Sequence, residues 1–273
     1  MSVASLWIGD ALGPIELASV KSFLRTHGEF TLYSYGAIGN VPDGVTCLDA
    51  REVFDAGQIV RHKKTGSPAL HSDIFRYQLL KKTDHIWVDL DIIAFKRFDH
   101  DRDWIFAPEA PDYYNGAVLK LPRTSKTLNA LAAVDHDTVG IPLHLTGLRR
   151  LKFKLRALCF GALPITRWPW GALGPAGLTH YLTQNGECEN ALVGDVFYHI
   201  PICDVRRFVE PGALTQADFP ATAWGVHLWG KELRAVITAD HNGTIPKGCY
   251  LRWVMDAYGV DDLSEAKAEP ELV

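Results

Sequence analysis

The chain has 273 residues, with 28 basic and 32 acidic side chains and a formal charge of −4 at pH 7. Its content of 47% hydrophobic and 22% charged residues excludes a mainly disordered chain, and the acidic balance leaves no global positive field to attract nucleic acid. Ser5–Ile8 reads as a first strand, short and apolar, closed by Gly9. Pro14 opens a predicted helix with Ile15, Val20, Phe23 and Leu24 near helical spacing and Gly28 as its stop. Phe30–Tyr35 and Val45–Leu48 are predicted strands, followed by a short helix near Ala50–Phe54. Residues 55–68 carry two glycines, a proline and several basic residues and read as a mobile loop. Ala69–Lys82 is predicted helical, and Ile86–Val88 a buried strand that ends at Asp89. Strands alternating with helices argue for an α/β fold with a largely parallel sheet.

The second half is less regular. Trp104–Ala107 and Ala117–Leu119 read as strands and Ser125–Val134 as a helix. Residues 164–177, rich in Pro, Gly and Trp, suggest a structured loop beside a site. Residues 261–273 are acidic and nearly devoid of large apolar groups, as in a frayed tail. One domain over 1–260 is expected, with halves of about 1–120 and 121–260. Cys47, Cys159, Cys188, Cys203 and Cys249 include no C-x-x-C pair, so neither a disulfide framework nor a zinc ribbon is indicated. The opening MSVASLWIGDALGP lacks a basic region and meets Asp10 early, so a cytoplasmic location is the expectation.

Chemistry concentrates in residues 71–95. The apolar Ile86-Trp87-Val88 runs into Asp89-Leu90-Asp91, and carboxylates beside such neighbours are costly to bury without compensation. Ligands of parallel α/β sheets bind beyond the carboxyl ends of the strands, where this pair would lie. In an extended segment, side chains two apart point the same way, so both carboxylates can share one ligand. Oxygen donors suit Mg²⁺ or Mn²⁺, held by one or two carboxylates plus substrate phosphates. The alternative is a pair of solvated turn aspartates. On the preceding helix Asp73 and Arg76 are i, i+3 and share a face, either as a surface ion pair or as part of the same crevice.

The pattern S-D-x-x-R-x-x-x-L followed by a D-x-D strand, carried by Ser72, Asp73, Arg76, Leu80, Asp89 and Asp91, resembles the donor site of nucleotide-sugar glycosyltransferases of the GT-A fold. It is similar to glycosyltransferase family 32 and related sugar-binding-region (DXD) proteins, and to the glucosylating domains of large clostridial toxins. Leu6-Trp7-Ile8-Gly9, Tyr114-Asn115-Gly116, Gly174-Pro175 with Leu178-Thr179, and His227-Leu228-Trp229 fall in the family's order. The resemblance runs from Leu6 to Trp229. Where many members enter the D-x-D strand through Gly-Gly-x-Tyr, this chain has Thr83-Asp84-His85-Ile86-Trp87.

The resemblance implies a metal-dependent hexosyltransferase that moves a sugar from a nucleoside diphosphate, UDP being the expected one, to a saccharide or glycolipid acceptor. Retention of anomeric configuration and a place in surface polysaccharide or glycolipid synthesis are further implications. Asp91 is then the direct metal ligand, Asp89 reaches the ribose or binds metal through water, and His227 completes the shell around Mn²⁺ or Mg²⁺. Asp73 accepts from a sugar hydroxyl and Arg76 steadies a phosphate or the carboxylates. Trp7 and Gly9 contact the nucleotide, Asn115 and Gly116 the transferred sugar, and Trp229 covers the sugar face. Each has an ordinary alternative: a satisfied strand histidine, core aromatics, a turn. Two other functions stay open, a non-catalytic sugar-nucleotide-binding protein and a haloacid-dehalogenase-type phosphatase, although the latter carries its D-x-D on the first strand. Lastly, residues 149–156 place five cations among apolar residues. They form either a solvated face or a patch for peripheral contact with an anionic membrane.

Overall fold

The computed structural model describes residues 2–142 and 144–261. The expected tail therefore lies, from residue 262 onward, outside the described residues. In chain order the first half comprises β1 (Val3–Trp7), α1 (Pro14–His27), β2 (Phe30–Ser34), β3 (Val45–Asp49), α2 (Ala69–Lys82), β4 (Ile86–Val88), β5 (Ile92–Ala94), β6 (Ile105–Ala110) and β7 (Tyr113–Lys120). There follow α3 (Lys126–Ala132), β8 (Val139–Gly140), α4 (Gly147–Phe160), β9 (Leu163–Pro164), α5 (Pro175–Asn185), β10 (Gly225–His227), α6 (Gly230–His241) and α7 (Tyr250–Ala257). The helix predicted near Ala50 is a single 3-10 turn, Ala50–Glu52, capped by the Asp49 side chain. The predicted mobile loop 55–68 is irregular but pinned, because the buried His62 pairs its Nε2 with the Trp168 carbonyl at 2.9 Å.

A six-stranded sheet has the order β3-β2-β1-β4-β7-β6. The first four strands are mutually parallel, while β7 runs antiparallel to β4 and β6 antiparallel to β7. Strand alternation sorts the core onto the two faces. Val3, Trp7, Ile86 and Val88 join α1, α6 and α7 on one face. Ala4, Leu6 and Trp87 join α2, α3 and α5 on the other. Helices therefore cover both sides, as a mostly parallel sheet requires. The result is an α/β sandwich compatible with a Rossmann-like fold.

Two topological details position the site. From β1 the chain moves outward through β2 and β3, then returns to place β4 on β1's other side, so the order reverses between the ends of β1 and β4. Such a switch point opens a crevice at the strands' carboxyl ends. Second, β10 pairs antiparallel with β5, His227 opposite Ile92, which carries a distant segment back beside Asp91. No helix among the described residues is long and apolar enough to cross a membrane.

Two histidines are built into this framework as neutral rings. His27 Nε2 accepts the Phe98 N–H at 3.0 Å, and His71 Nδ1 accepts the Val60 N–H at 3.1 Å. Burial, joined by His100 and Arg97 near His27 and by His136 near His71, lowers both to about 4 from 6.5. The unfolded chain therefore binds more protons than the folded one between about pH 6.5 and 4. Stability falls as pH drops through that window, by about 1.4 kcal/mol per pH unit for each proton. Urea midpoints at pH 7 and pH 5 should differ accordingly, and the His71→Gln variant should narrow the difference.

Candidate functional site

Beyond the ends of β1 and β4 lies a cleft in two lobes. The larger, about 300 Å³, is lined by α2 through Ser72, Asp73 and Arg76, by Glu109 and Asn115, and by residues 168–175. The smaller, about 110 Å³, is lined by Trp7, Glu16, Asp91 and the start of α6. Asp89, His227, Trp229 and Glu232 line both.

Arg76 is the centre of the larger lobe. It is buried on α2, and its Nη2 lies 3.2 Å from Asp73 and 3.4 Å from Asp89. Its guanidinium carbon sits 5.1 Å from the centre of the Trp87 ring. The i, i+3 pair is thus part of the crevice and not a surface ion pair. Burial raises the Asp73 carboxyl to about 6 against the pull of Arg76. Asp89 also rises through burial, opposed by Arg76. Trp87 Nε1 donates to Asp89 Oδ1 at 2.7 Å.

The two D-x-D carboxylates do not act as an extended pair. β4 ends at Val88 and residues 90–91 turn, with Ile92 N–H on the Asp89 carbonyl at 3.3 Å. Alternation therefore does not apply, and the two side chains take different partners. Asp91 Oδ2 accepts the Gly230 N–H, at the start of α6, at 2.8 Å and pairs with His227 Nε2 at 3.2 Å. Burial pushes the Asp91 carboxyl up, but His227, the Gly230 N–H and Arg234 outweigh it and hold the group near 2. Burial lowers His227, yet the Asp91 carboxylate beside it carries the ring above its usual value. The satisfied-strand alternative for His227 is thus half true: Nε2 has a partner, whereas the buried Nδ1 has none.

Among the described residues no group of three or more His, Cys, Asp or Glu side chains is arranged to hold a metal ion. Of the expected set, Asp91 and His227 are in contact, whereas Asp89 faces Arg76 and Trp87 at the boundary of the two lobes. Asp91 and His227 remain as adjacent oxygen and nitrogen donors, and the buried Asp91 Oδ1 has no hydrogen-bond partner. That donor pair would suit a divalent ion that takes its remaining ligands from water or a bound anion.

Other expected residues separate. Asn115 lines the larger lobe, donating its amide to Glu109 and accepting the Ala117 N–H at 2.8 Å. Gly9 and Gly116 line neither lobe. Gly116 instead leaves room for Arg76, because a Cβ there would collide with Arg76 Nη1. Gly116→Ala should cost about 1–3 kcal/mol in a urea denaturation series, the usual penalty of overpacking; an unchanged midpoint would show that Arg76 moves freely. Trp7 is 2% exposed and packed in the core, although it lines the smaller lobe. Its indole N–H, however, is buried without a partner. Trp229 is also a wall residue, not an exposed platform. Its indole donates to the Ile200 carbonyl at 2.9 Å and its ring centre lies 4.2 Å from that of His227. Its φ of 55° is unusual for so large a side chain, and strain of this kind clusters at functional sites.

Three acidic residues went unmarked in the sequence. Glu109 lines the larger lobe, where burial raises its carboxyl against the Asn115 amide. Glu16 on α1 pairs with Arg234 on α6 and lines the smaller lobe. Glu232 follows the start of α6 and lines both. A glutamate in the otherwise apolar Ile105–Ala110 was a readable signal; Glu16 and Glu232 depend on pairings that sequence spacing does not reveal.

Six residues that line these lobes, Trp7, Glu16, Ser72, Arg76, Asp91 and His227, each carry a buried polar atom without a partner. Native interiors leave few such groups, and their concentration here marks a surface built for a polar ligand. No protein-family model matches the chain, and no curated protein matches it.

Proposed function

We propose that this protein is a metal-dependent glycosyltransferase of GT-A type that transfers a sugar from a nucleoside diphosphate, UDP first among them, to a saccharide or glycolipid acceptor. The observation that carries the reading is the Asp73–Arg76–Asp89 cluster facing the Asp91–His227 pair across one cleft at a switch point of the sheet. A phosphatase of the haloacid-dehalogenase type is disfavoured, because the D-x-D here follows the fourth strand and lies in a turn.

In this reading the sugar lies in the larger lobe. Asp73 and Asp89 accept hydrogen bonds from donor hydroxyls, and Arg76 fixes both carboxylates in place. Asn115 supplies an amide beside them. The diphosphate lies toward the smaller lobe, where the N-terminus of α6 favours a negative group and Lys231 lines the wall. Asp91 and His227 would hold Mn²⁺ or Mg²⁺, which when bound neutralises charge developing on the leaving diphosphate. Glu109, whose carboxyl burial pushes upward, borders the space left for an acceptor hydroxyl.

Calorimetric titration with UDP, GDP and CDP, in Mn²⁺ and in chelator, tests the reading. One nucleotide should bind in Mn²⁺ and lose most of its affinity in chelator. Folded protein that binds none of the three rejects the transferase. Binding with neither transfer nor hydrolysis of the sugar nucleotide would point to a non-catalytic binding protein.

A further inference from the structure

Helix α4, Gly147–Phe160, buries none of its residues. Leu148, Leu151, Leu155 and Leu158 are exposed, the first and last to 84% of their surface. At about 100° per residue these positions form one stripe along the helix. Phe153 and Ala157, which are half-buried, lie on the opposite side. The leucines therefore point away from the protein, the reverse of an ordinary surface helix, whose apolar stripe faces the core. Lys152 and Arg156 border the stripe on one flank and Arg150 and Lys154 on the other. With Arg149 they make five cations on a helix without an acidic residue, in a chain of net charge −4.

We propose that α4 is an interfacial helix that seats this protein on an anionic lipid bilayer, with its leucines at the acyl boundary and its cations against the lipid headgroups. Charge selects this occupant. The leucine spacing also suits a helix pair, but in a second copy Lys152 and Lys154 would take the flanking positions and meet like charges. A bilayer bearing negative headgroups complements every cation on the helix. The position of α4 fits the same surface. It leads through β9 into residues 165–175 that wall the cleft, and the cleft-lining Trp170 and Ile202 are themselves exposed. Docking would hold the cleft's rim near the membrane. That last consequence, access to a lipid-linked saccharide, rests on the transferase reading; the docking itself does not.

The test is flotation of the full chain with vesicles of phosphatidylcholine alone and with about one quarter phosphatidylglycerol. Binding is expected on the mixed vesicles, with a loss of about 100-fold or more on the neutral ones and a comparable loss in high salt. Lys152→Gln with Lys154→Gln should weaken it about 25-fold, at about fivefold per cation. Leu151→Glu with Leu155→Glu should abolish it while leaving the melting temperature unchanged, since both side chains are exposed. Equal binding to both vesicle types, binding to neither, or full binding by the leucine variant overturns the proposal. So does a dimer in light scattering that the leucine variant dissolves while wild type ignores vesicles. Vesicle binding by a protein that binds no nucleotide would reject the transferase and leave the docking intact.

Discussion

Arg76→Ala is expected to destabilise the fold by about 3–5 kcal/mol, the cost of removing a buried cation from two carboxylates that are themselves half-buried. Asp73 and Asp89 both face that guanidinium, and Asp73 already stands near 6 with Arg76 present. The loss should depend on pH, with a definite sign. Without the cation, Asp73 rises further above its unfolded value of about 3.8, so the folded variant binds more protons than its unfolded chain. Its stability then falls as pH rises toward the new folded value, and the deficit against wild type is smaller at pH 5 than at pH 8. Arg76→Lys should recover part of the stability, because a lysine supplies charge without the planar fork that reaches two carboxylates. Adding Asp73→Asn and Asp89→Asn to Arg76→Met should recover most of it. Urea denaturation at the two pH values measures all of these. A loss below about 1 kcal/mol, typical of a solvated pair, would show that the cluster is open to water and that Arg76 is not its organiser.

On the transferase reading, Asp91→Ala has the second large expected effect, and it falls on turnover more than on stability. The side chain borders the smaller lobe, so water can take over the Gly230 N–H that it now caps. Sugar-nucleotide hydrolysis or transfer should drop by about 10³-fold or more, because neutralising a leaving diphosphate contributes several kcal/mol to the barrier. Metal-dependent nucleotide binding should vanish with it. His227→Ala should cost less, as it leaves the Asp91 carboxylate in place. Full turnover in Asp91→Ala, with the melting temperature held, would remove the metal from the proposed chemistry.

Much of the frame was readable because it rests on local rules. The boundaries of α2 follow from its sequence alone, and Gly28 ends α1 in the left-handed conformation expected of a C-terminal cap. The crevice at Asp89 was also legible, since an acidic residue ending an apolar strand has few other reasons to be there. The orientation of the pair was not. Alternation presumes an extended chain, and one turn at Leu90 sends Asp89 to Arg76 and Asp91 to His227. Trp7 shows a different limit: its position at the end of β1 was evident, but its burial depends on helices far along the chain. The glycine at 116 stood out in the sequence, but not the fact that the space it leaves is filled by Arg76 from α2. The five cations of residues 149–156 gave the charge of α4 but not which way its leucines point.

Asp91 and His227 meet across 136 positions of sequence, and this separation has a consequence for biosynthesis. At translation rates of about 5–20 residues per second, the carboxylate leaves the ribosome roughly 7–30 s before its imidazole partner. The first four parallel strands can assemble in that interval, but β5 waits with an open edge until β10 arrives. The nascent chain thus passes through a stage with the crevice half walled and Asp91 without its His227 partner. A pause engineered downstream of β7 would lengthen that stage, and the exposed β5 edge is where a chaperone would be needed.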